Sequence, residues 1–238
     1  APGYHCRSMA MGTNTDPYQP AERHFKITRS ILEVLAKFNH PVSIVTKSAL
    51  IARDADILHE MAKKNLAKAA LSVTSLDHSL SRKMEPRAST PKRRLGAIRD
   101  LASLGIPTGV MFAPAIPGLN DHEMEGVLEA ARDAGATSAG YVMLRLPLEV
   151  KDLFQEWLAA AVPERASRVM SLIRAMRGGL DYDAKWGERM TGNGPIAEAL
   201  ADRFRLACKR LGLNKPQPPL DTSQFKPPPR AGDQLALF

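Results

Sequence analysis

Cysteine is nearly absent from this sequence of 238 residues: only Cys6 and Cys208 occur, far apart. Two thiols so separated exclude a disulfide framework and any multi-cysteine metal motif within the chain, so a metal cluster would need ligands from elsewhere. Aromatic residues are scarce at 5%, and no apolar run approaches the roughly 20 residues that span a bilayer. The first six residues carry no charged-then-apolar leader pattern, and the expectation is a cytoplasmic protein. Acidic charge is in deficit, with 25 Asp and Glu against 33 Lys and Arg and a formal charge of +8. That excess suits a polyanion such as nucleic acid, and equally an ordinary basic soluble protein. With 44% hydrophobic residues, the chain can bury one sizeable core, as one barrel-like domain or two smaller ones.

What is present is alternation. Met9 to Met11, Val42 to Val45, Ala69 to Val73, Gly109 to Phe112 and Ala139 to Leu144 are short apolar runs ending in polar, Gly or Pro residues, which predicts buried strands. Between them Ile27, Ile31, Leu35 and Phe38 recur every three or four residues, as do Leu95, Ile98 and Leu101, and Met124, Val127, Leu128 and Ala131. This spacing predicts helices with one buried face. Asp54 and Asp121 stand where helix N-caps belong, and Gly105 and Gly135 where helices stop. Continuously apolar strands alternating with helices give a parallel sheet covered by helices, either an open doubly wound sheet or a barrel. The residues following each strand are unusually polar: Thr13 to Asp16, Thr46 to Ser48, Thr74 to Asp77, Pro114 to Asp121 and Arg145. In a barrel these converge on one mouth, and a shared active site is the simplest reading.

Several strand ends carry chemistry. Asp16 could bind a cation or an amine, or cap the next helix. Lys47, directly after an apolar strand, is placed to neutralise a carboxylate or phosphate, and a Schiff-base role would need the same placement. Strand alternation sends Ser72 and Thr74 to one face and Val73 and Ser75 to the other, so one pair should line the interior. Glu85, Arg87, Arg93 and Arg94 form a cluster at a loop–helix junction that either binds an anion or is an internal salt-bridge network. In the Gly-rich loop from Gly178 to Gly194, Tyr182, Trp186 and Arg189 could stack on an extruded base or contact phosphate, or pack on the barrel.

Taken in order, GTNTDPYQPAE at Gly12 to Glu22, TKSALIARD at Thr46 to Asp54, SVTSLD at Ser72 to Asp77, MEPRA at Met84 to Ala88, APAIPGLND at Ala113 to Asp121 and LRLP at Leu144 to Pro147 resemble one family. They look like the bacterial radical S-adenosylmethionine proteins related to spore photoproduct lyase, described as DNA repair photolyase-like. The resemblance implies an α/β fold: a partial (β/α)6 radical SAM barrel missing its first strand and helix. It implies S-adenosylmethionine across the strand ends, with Thr15 and Asp16 near the methionyl amine, Lys47 facing the carboxylate and Ser72 approaching the ribose. It also implies a [4Fe-4S] cluster, a 5′-deoxyadenosyl radical and lyase-like repair or modification of DNA. The family's three-cysteine segment has no counterpart in this chain, which begins at Ala1 without an initiator Met. The expectation is that the first strand, its cysteine loop and its helix precede Ala1, that this chain holds no metal by itself, and that it is inactive alone.

The expected organisation is a partial barrel over 1–147, a helical C-terminal extension over 148–214 and a disordered Pro-rich tail over 215–238. The extension holds helices at Leu153 to Ala161, Glu164 to Met176 and Ile196 to Leu211. The tail ends in Gln234, Leu235, Ala236, Leu237 and Phe238, which resemble the peptide that docks bacterial repair proteins on the DNA sliding clamp: an amide and two large apolar groups on a flexible tether. The same residues could fold back on the barrel. Two other readings stay open, a non-catalytic clamp- or nucleic-acid-binding adaptor on a decayed barrel, and an ordinary barrel enzyme that uses Lys47 for Schiff-base or phosphate chemistry.

Overall fold

In the computed structural model, which describes residues 3–185 and 188–229, five parallel strands lie in sequence order: β1 (Met9–Met11), β2 (Val42–Thr46), β3 (Ala67–Ser72), β4 (Thr108–Ala115) and β5 (Ser138–Met143). Each falls within two or three residues of its apolar run, because a strand covered by helices must be apolar where it is buried. Parallel neighbours need crossovers, and helices supply them: α1 (Glu22–Phe25) and α2 (Ile27–Lys37), α3 (Ala55–Lys63), α4 (His78–Met84) and α5 (Pro91–Ser103), then α6 (Met124–Asp133). The architecture is the expected α/β partial barrel.

Alternation along the strands sorts the two faces. Val42, Ile44, Ala67, Ala69, Leu71, Val73, Val110 and Phe112 belong to the main core under the helices. The register pairs their neighbours Ser43 with Lys68, Ala70 with Gly109, and Met111 with Gly140 on the opposite face. That face is closely fitted, since a Cβ on Gly109 would stand 2.6 Å from Ser138 Oγ and one on Gly140 2.7 Å from Met111 Sδ.

The helix stops are where the glycines predict them: Gly105 and Gly135 take φ of +74° and +103° just after α5 and α6. The two aspartates do not cap through their side chains. Asp54 occupies the N-cap position of α3 without a capping hydrogen bond, and a 3-10 turn, Asp121–Glu123, intervenes before α6. The periodicity of α2 also resolves differently. Thr28, Leu32 and Leu35 face the core, whereas Ile27 (59% exposed), Ile31 (37%) and Val34 (55%) face outward beside Phe25 (72%). Helix α4 has no periodic signature in the sequence because Leu80 is its one buried apolar anchor.

After β5 come α7 (Val150–Ala161), α8 (Pro163–Ala175) and α9 (Gly194–Leu211). Leu158, Val162, Val169, Met170 and Ile173 build a second core with Ile116, Leu119 and Leu146. Helix α9 instead returns to the main core through Ala197, Leu200, Ala207 and Cys208, and Phe204 packs on Tyr141 of β5 at 4.7 Å between ring centroids. The described part of the Pro-rich segment is extended, but it is not the free tether expected of it. Asn65 Nδ2 donates to Pro219 O (2.8 Å), Gln224 Nε2 to Lys64 O (2.9 Å) and Lys226 N to Phe38 O (2.9 Å). Phe225 closes an aromatic cluster with Tyr4 and His40. Polar groups interspersed among the prolines supply donors and acceptors that composition alone does not weigh. Among the described residues no helix is long and apolar enough to cross a membrane.

Candidate functional site at the strand ends

The mouth of the partial barrel is set by one glycine. Gly12, directly after β1, takes φ +92°, and a Cβ there would stand 1.9 Å from the carbonyl oxygen of Val45, so only glycine lets the turn close on β2. The turn delivers Asp16 onto the end of that strand. Asp16 Oδ1 accepts from Tyr18 N (2.8 Å) and Thr46 Oγ1 (2.6 Å), and Oδ2 accepts from Lys47 N (2.8 Å). The carboxylate is therefore the clasp between the first two strand ends.

Beside it lies a buried charge network. Lys47 Nζ meets Glu85 Oε1 at 2.6 Å, and Arg94 Nη2 meets Glu85 Oε2 at 2.5 Å. Thr74 Oγ1 donates to the same Oε2 (2.9 Å). Arg94, only 1% exposed, spends its remaining donors on Ser72 O (2.8 Å) and Ser89 O (2.6 Å). Burial alone would raise the Glu85 carboxyl, but Lys47 and Arg94 outweigh it and hold the group below the usual carboxylate range. Thus the ammonium of Lys47, for which the sequence suggests a ligand, already has a carboxylate partner within the chain, Glu85 of the loop–helix cluster, which it shares with Arg94.

A second buried carboxylate, Asp54, accepts from Arg53, Arg29 and Tyr18 OH. Burial first, then the Asp54 charge, pushes the Tyr18 phenol far above its ordinary value, so it stays a donor. Asn120, fully buried, ties two further strand ends together. Its Nδ2 donates to Thr74 O (2.7 Å) and Pro114 O (3.0 Å), and its Oδ1 accepts from Ile116 N (2.7 Å).

Two cavities open onto this framework. A polar cleft of about 510 Å³ is lined by Thr15, Asp16, Lys47, Ser48, Ser89, Thr90 and several arginines. An apolar one of about 290 Å³ is lined by Lys47 and Glu85 together with Met84, Ile116, Leu144, Phe154 and Trp157. A larger cavity, about 790 Å³ between the β4–α6 loop and helices α8 and α9, shares no lining residue with either. Of the residues singled out from the sequence, Thr15, Asp16 and Lys47 come together in the cleft. Ser72 is buried at the end of β3 and does not line it. Tyr182 packs with the second core, its OH 3.5 Å from Arg145 Nη2. The backbone carbonyl of Arg189 accepts from the buried Arg177 (3.0 Å). Trp186 and Gln234, Leu235, Leu237 and Phe238 lie outside the described residues. Thr46 and Asn120 join the site from polar strand-end runs in which the sequence assigns neither a role of its own, and Phe154 and Trp157 join it without having been singled out. Thr46 carried a signal, a hydroxyl at the last position of an apolar strand, but the two aromatics sit in an ordinary amphipathic pattern.

A parallel sheet whose strand ends carry interlocked carboxylates, hydroxyls and cations beside two clefts is the build of a β/α-barrel enzyme site. A family model described as the Radical SAM superfamily matches residues 1–131, and the chain belongs to that superfamily. The uncharacterized protein Rv2578c of Mycobacterium tuberculosis is 35% identical over 175 residues, 73% of this chain and 52% of that protein. The uncharacterized protein MJ0683 of Methanocaldococcus jannaschii is 32% identical over 113 residues, 48% and 42% of the two chains. The chain thus spans about half the length of the curated relatives it matches. A solved spore photoproduct lyase variant with bound AdoMet and a dinucleoside spore photoproduct superposes with a TM-score of 0.59 at 16% identity, over 87% of this chain and 59% of that one. That likeness is one of fold.

The superfamily implies S-adenosylmethionine and an iron–sulfur cluster. The hydroxyls, carboxylate and ammonium of the polar cleft fit the first. They do not fit the second, which is held by cysteine thiolates. Cys6 is half-buried ahead of β1 and Cys208 is buried in α9, its thiol pushed up to about 11 by burial. No group of three His, Cys, Asp or Glu suited to a metal ion occurs among the described residues.

Proposed function

We propose that this chain is the larger part of a radical S-adenosylmethionine enzyme that repairs or modifies nucleic acid, DNA in the first instance. The observation that carries the reading is the superfamily match over residues 1–131, which spans the four strand ends that build the polar cleft and its buried network. In this reading Thr15, Asp16 and Lys47 receive the methionyl end of S-adenosylmethionine, while Ser72, buried and outside the cleft lining, makes no direct contact. Asp16 keeps the Thr46 hydroxyl and the Lys47 amide in register, and Lys47, paired on one side by Glu85, offers its remaining N–H donors to a carboxylate. The chemistry such a cofactor pair supplies is hydrogen abstraction by a 5′-deoxyadenosyl radical.

The cluster thiolates would come from a strand–helix unit outside this chain. The bare edge of the sheet supports that placement. β1 is mostly exposed, and the outward Ile27, Ile31 and Val34 of α2 form an i, i+4, i+7 stripe of the kind a second helix covers. The chain alone is then inactive. The spore photoproduct in the structural neighbour, with the charge of +8, supports a nucleic-acid substrate. On the adaptor reading, the terminal Gln234–Phe238 peptide docks on a sliding clamp.

The test uses the complete gene product, reconstituted anaerobically: iron and sulfide content, and reductive cleavage of S-adenosylmethionine to 5′-deoxyadenosine. A cluster with cleavage supports the enzyme reading. A folded complete protein with neither would sink it and favour the adaptor.

A further inference from the structure

The polar cleft holds more positive charge than its proposed cofactor contacts use. Its lining includes Asp16, Arg23, Lys47, Arg87 and Arg93, one carboxylate against four cations. Asp16 already accepts from three donors within the chain, and Lys47 is paired with Glu85. The other nearby carboxylates are also spoken for, Glu22 by Arg53 and Asp54 by Arg29 and Arg53. Arg23, Arg87 and Arg93 remain with no hydrogen bond or ion pair from their side chains to any described residue. The reason lies in the helix. Consecutive positions on α5 point about 100° apart, so Arg94 enters the core to neutralise Glu85 while Arg93 faces the cleft. Arg23 comes from α1, and Arg87 from the loop between α4 and α5. The same cluster thus contains both a closed structural network and an unspent cationic surface.

From this we infer that the outer wall of the cleft binds the phosphodiester backbone of a nucleic-acid strand through Arg23, Arg87 and Arg93. Guanidinium forks match phosphate oxygens in pairs. All three side chains are exposed, which suits a polyanion that gains by releasing counterions along its length more than a small diphosphate that needs enclosure. The wall is continuous with Thr15, Asp16 and Lys47, so a strand held there lies beside the proposed cofactor contacts. The inference rests on the proposed function for its purpose, but its binding step needs no cluster.

Fluorescence polarisation of a labelled single-stranded oligo-dT, titrated with this chain over a range of salt concentrations, tests it. Arg87→Gln with Arg93→Gln should weaken binding about 10-fold and make the slope of log K against log salt shallower by about 1.4, at roughly 0.7 for each phosphate left without its guanidinium. Arg99→Gln with Lys209→Gln removes equal charge away from the cleft and should change both far less. Equal weakening in the two double variants, or none in the first, would overturn the inference in favour of diffuse charge. Inorganic diphosphate binding that depends on Arg87 and Arg93 while oligo-dT binding does not would overturn it in favour of a small-anion site. Thermal unfolding of each variant checks the fold. S-adenosylmethionine cleavage by the complete protein is read separately, so failure there removes the enzyme reading and leaves the binding result standing.

Discussion

The two edges of the sheet are finished in different ways. At the β5 edge the chain covers itself. Met143 N donates to Met190 O across the strand end (2.8 Å), Phe204 of α9 packs on Tyr141, and Arg177, 4% exposed, holds the carbonyls of Leu144, Glu188 and Arg189. At the β1 edge a three-residue strand stands mostly exposed, and the neighbouring helix turns Ile27, Ile31 and Val34 outward. A finished edge spends apolar and polar groups on the chain's own fold. An unfinished one keeps them available, and that asymmetry shows where further structure can add without rearranging what exists.

The contrast can be broken most strongly on the closed side. Leu158→Ala empties a fully buried position in the second core and should cost about 2–5 kcal/mol, read by chemical denaturation. Arg177→Met leaves three carbonyls short of a donor and should cost about 2–4 kcal/mol, with faster hydrogen exchange over residues 188–192. Between the edges, Glu85 gives a pH signature. Its folded carboxyl lies below its ordinary value of 4.5, so its stabilisation is present above pH 4.5 and is lost as pH falls through the folded value. The slope there should approach about 1.4 kcal/mol per pH unit at most, and Glu85→Gln should flatten it in acid-unfolding curves. On the open side, Ile31→Ala should change the stability of this chain by no more than about 0.5 kcal/mol. The same substitution in a longer form that covers α2 should cost about 1–3 kcal/mol. Equal costs in both forms would mean that nothing docks on the stripe.

Strands are more legible in this sequence than side-chain pairings. β1, β2 and β5 begin or end close to their apolar runs because burial under helices leaves little choice of residue. The buried face of α2 is not the one its spacing suggests, because Ile27 and Ile31 share the spacing of Leu35 just as Thr28 and Leu32 do, and periodicity cannot say which of two apolar stripes meets the sheet. At the site, residue type and strand-end position are enough to gather Thr15, Asp16 and Lys47. The pairing of Lys47 with Glu85, and the clasp of Asp16 on Thr46, are not legible, since each joins residues some thirty or more positions apart. The cluster around Glu85 is both of the things its composition allows: Arg94 belongs to the network, and Arg87 and Arg93 do not.

The Pro-rich segment over residues 219–226, held against the ends of α2 and α3 just before β2 and β3 begin, has a bearing on the order of folding. Asn65 and Gln224 engage partners 154 and 160 positions away, and Phe225 meets Tyr4 and His40. On a ribosome, β1 to β4 and their helices emerge and can pair well before residues 219–226 exist. Among the described residues these contacts are therefore made last, by pairings of very high sequence separation that are slow to form. The nascent barrel must hold its shape without them.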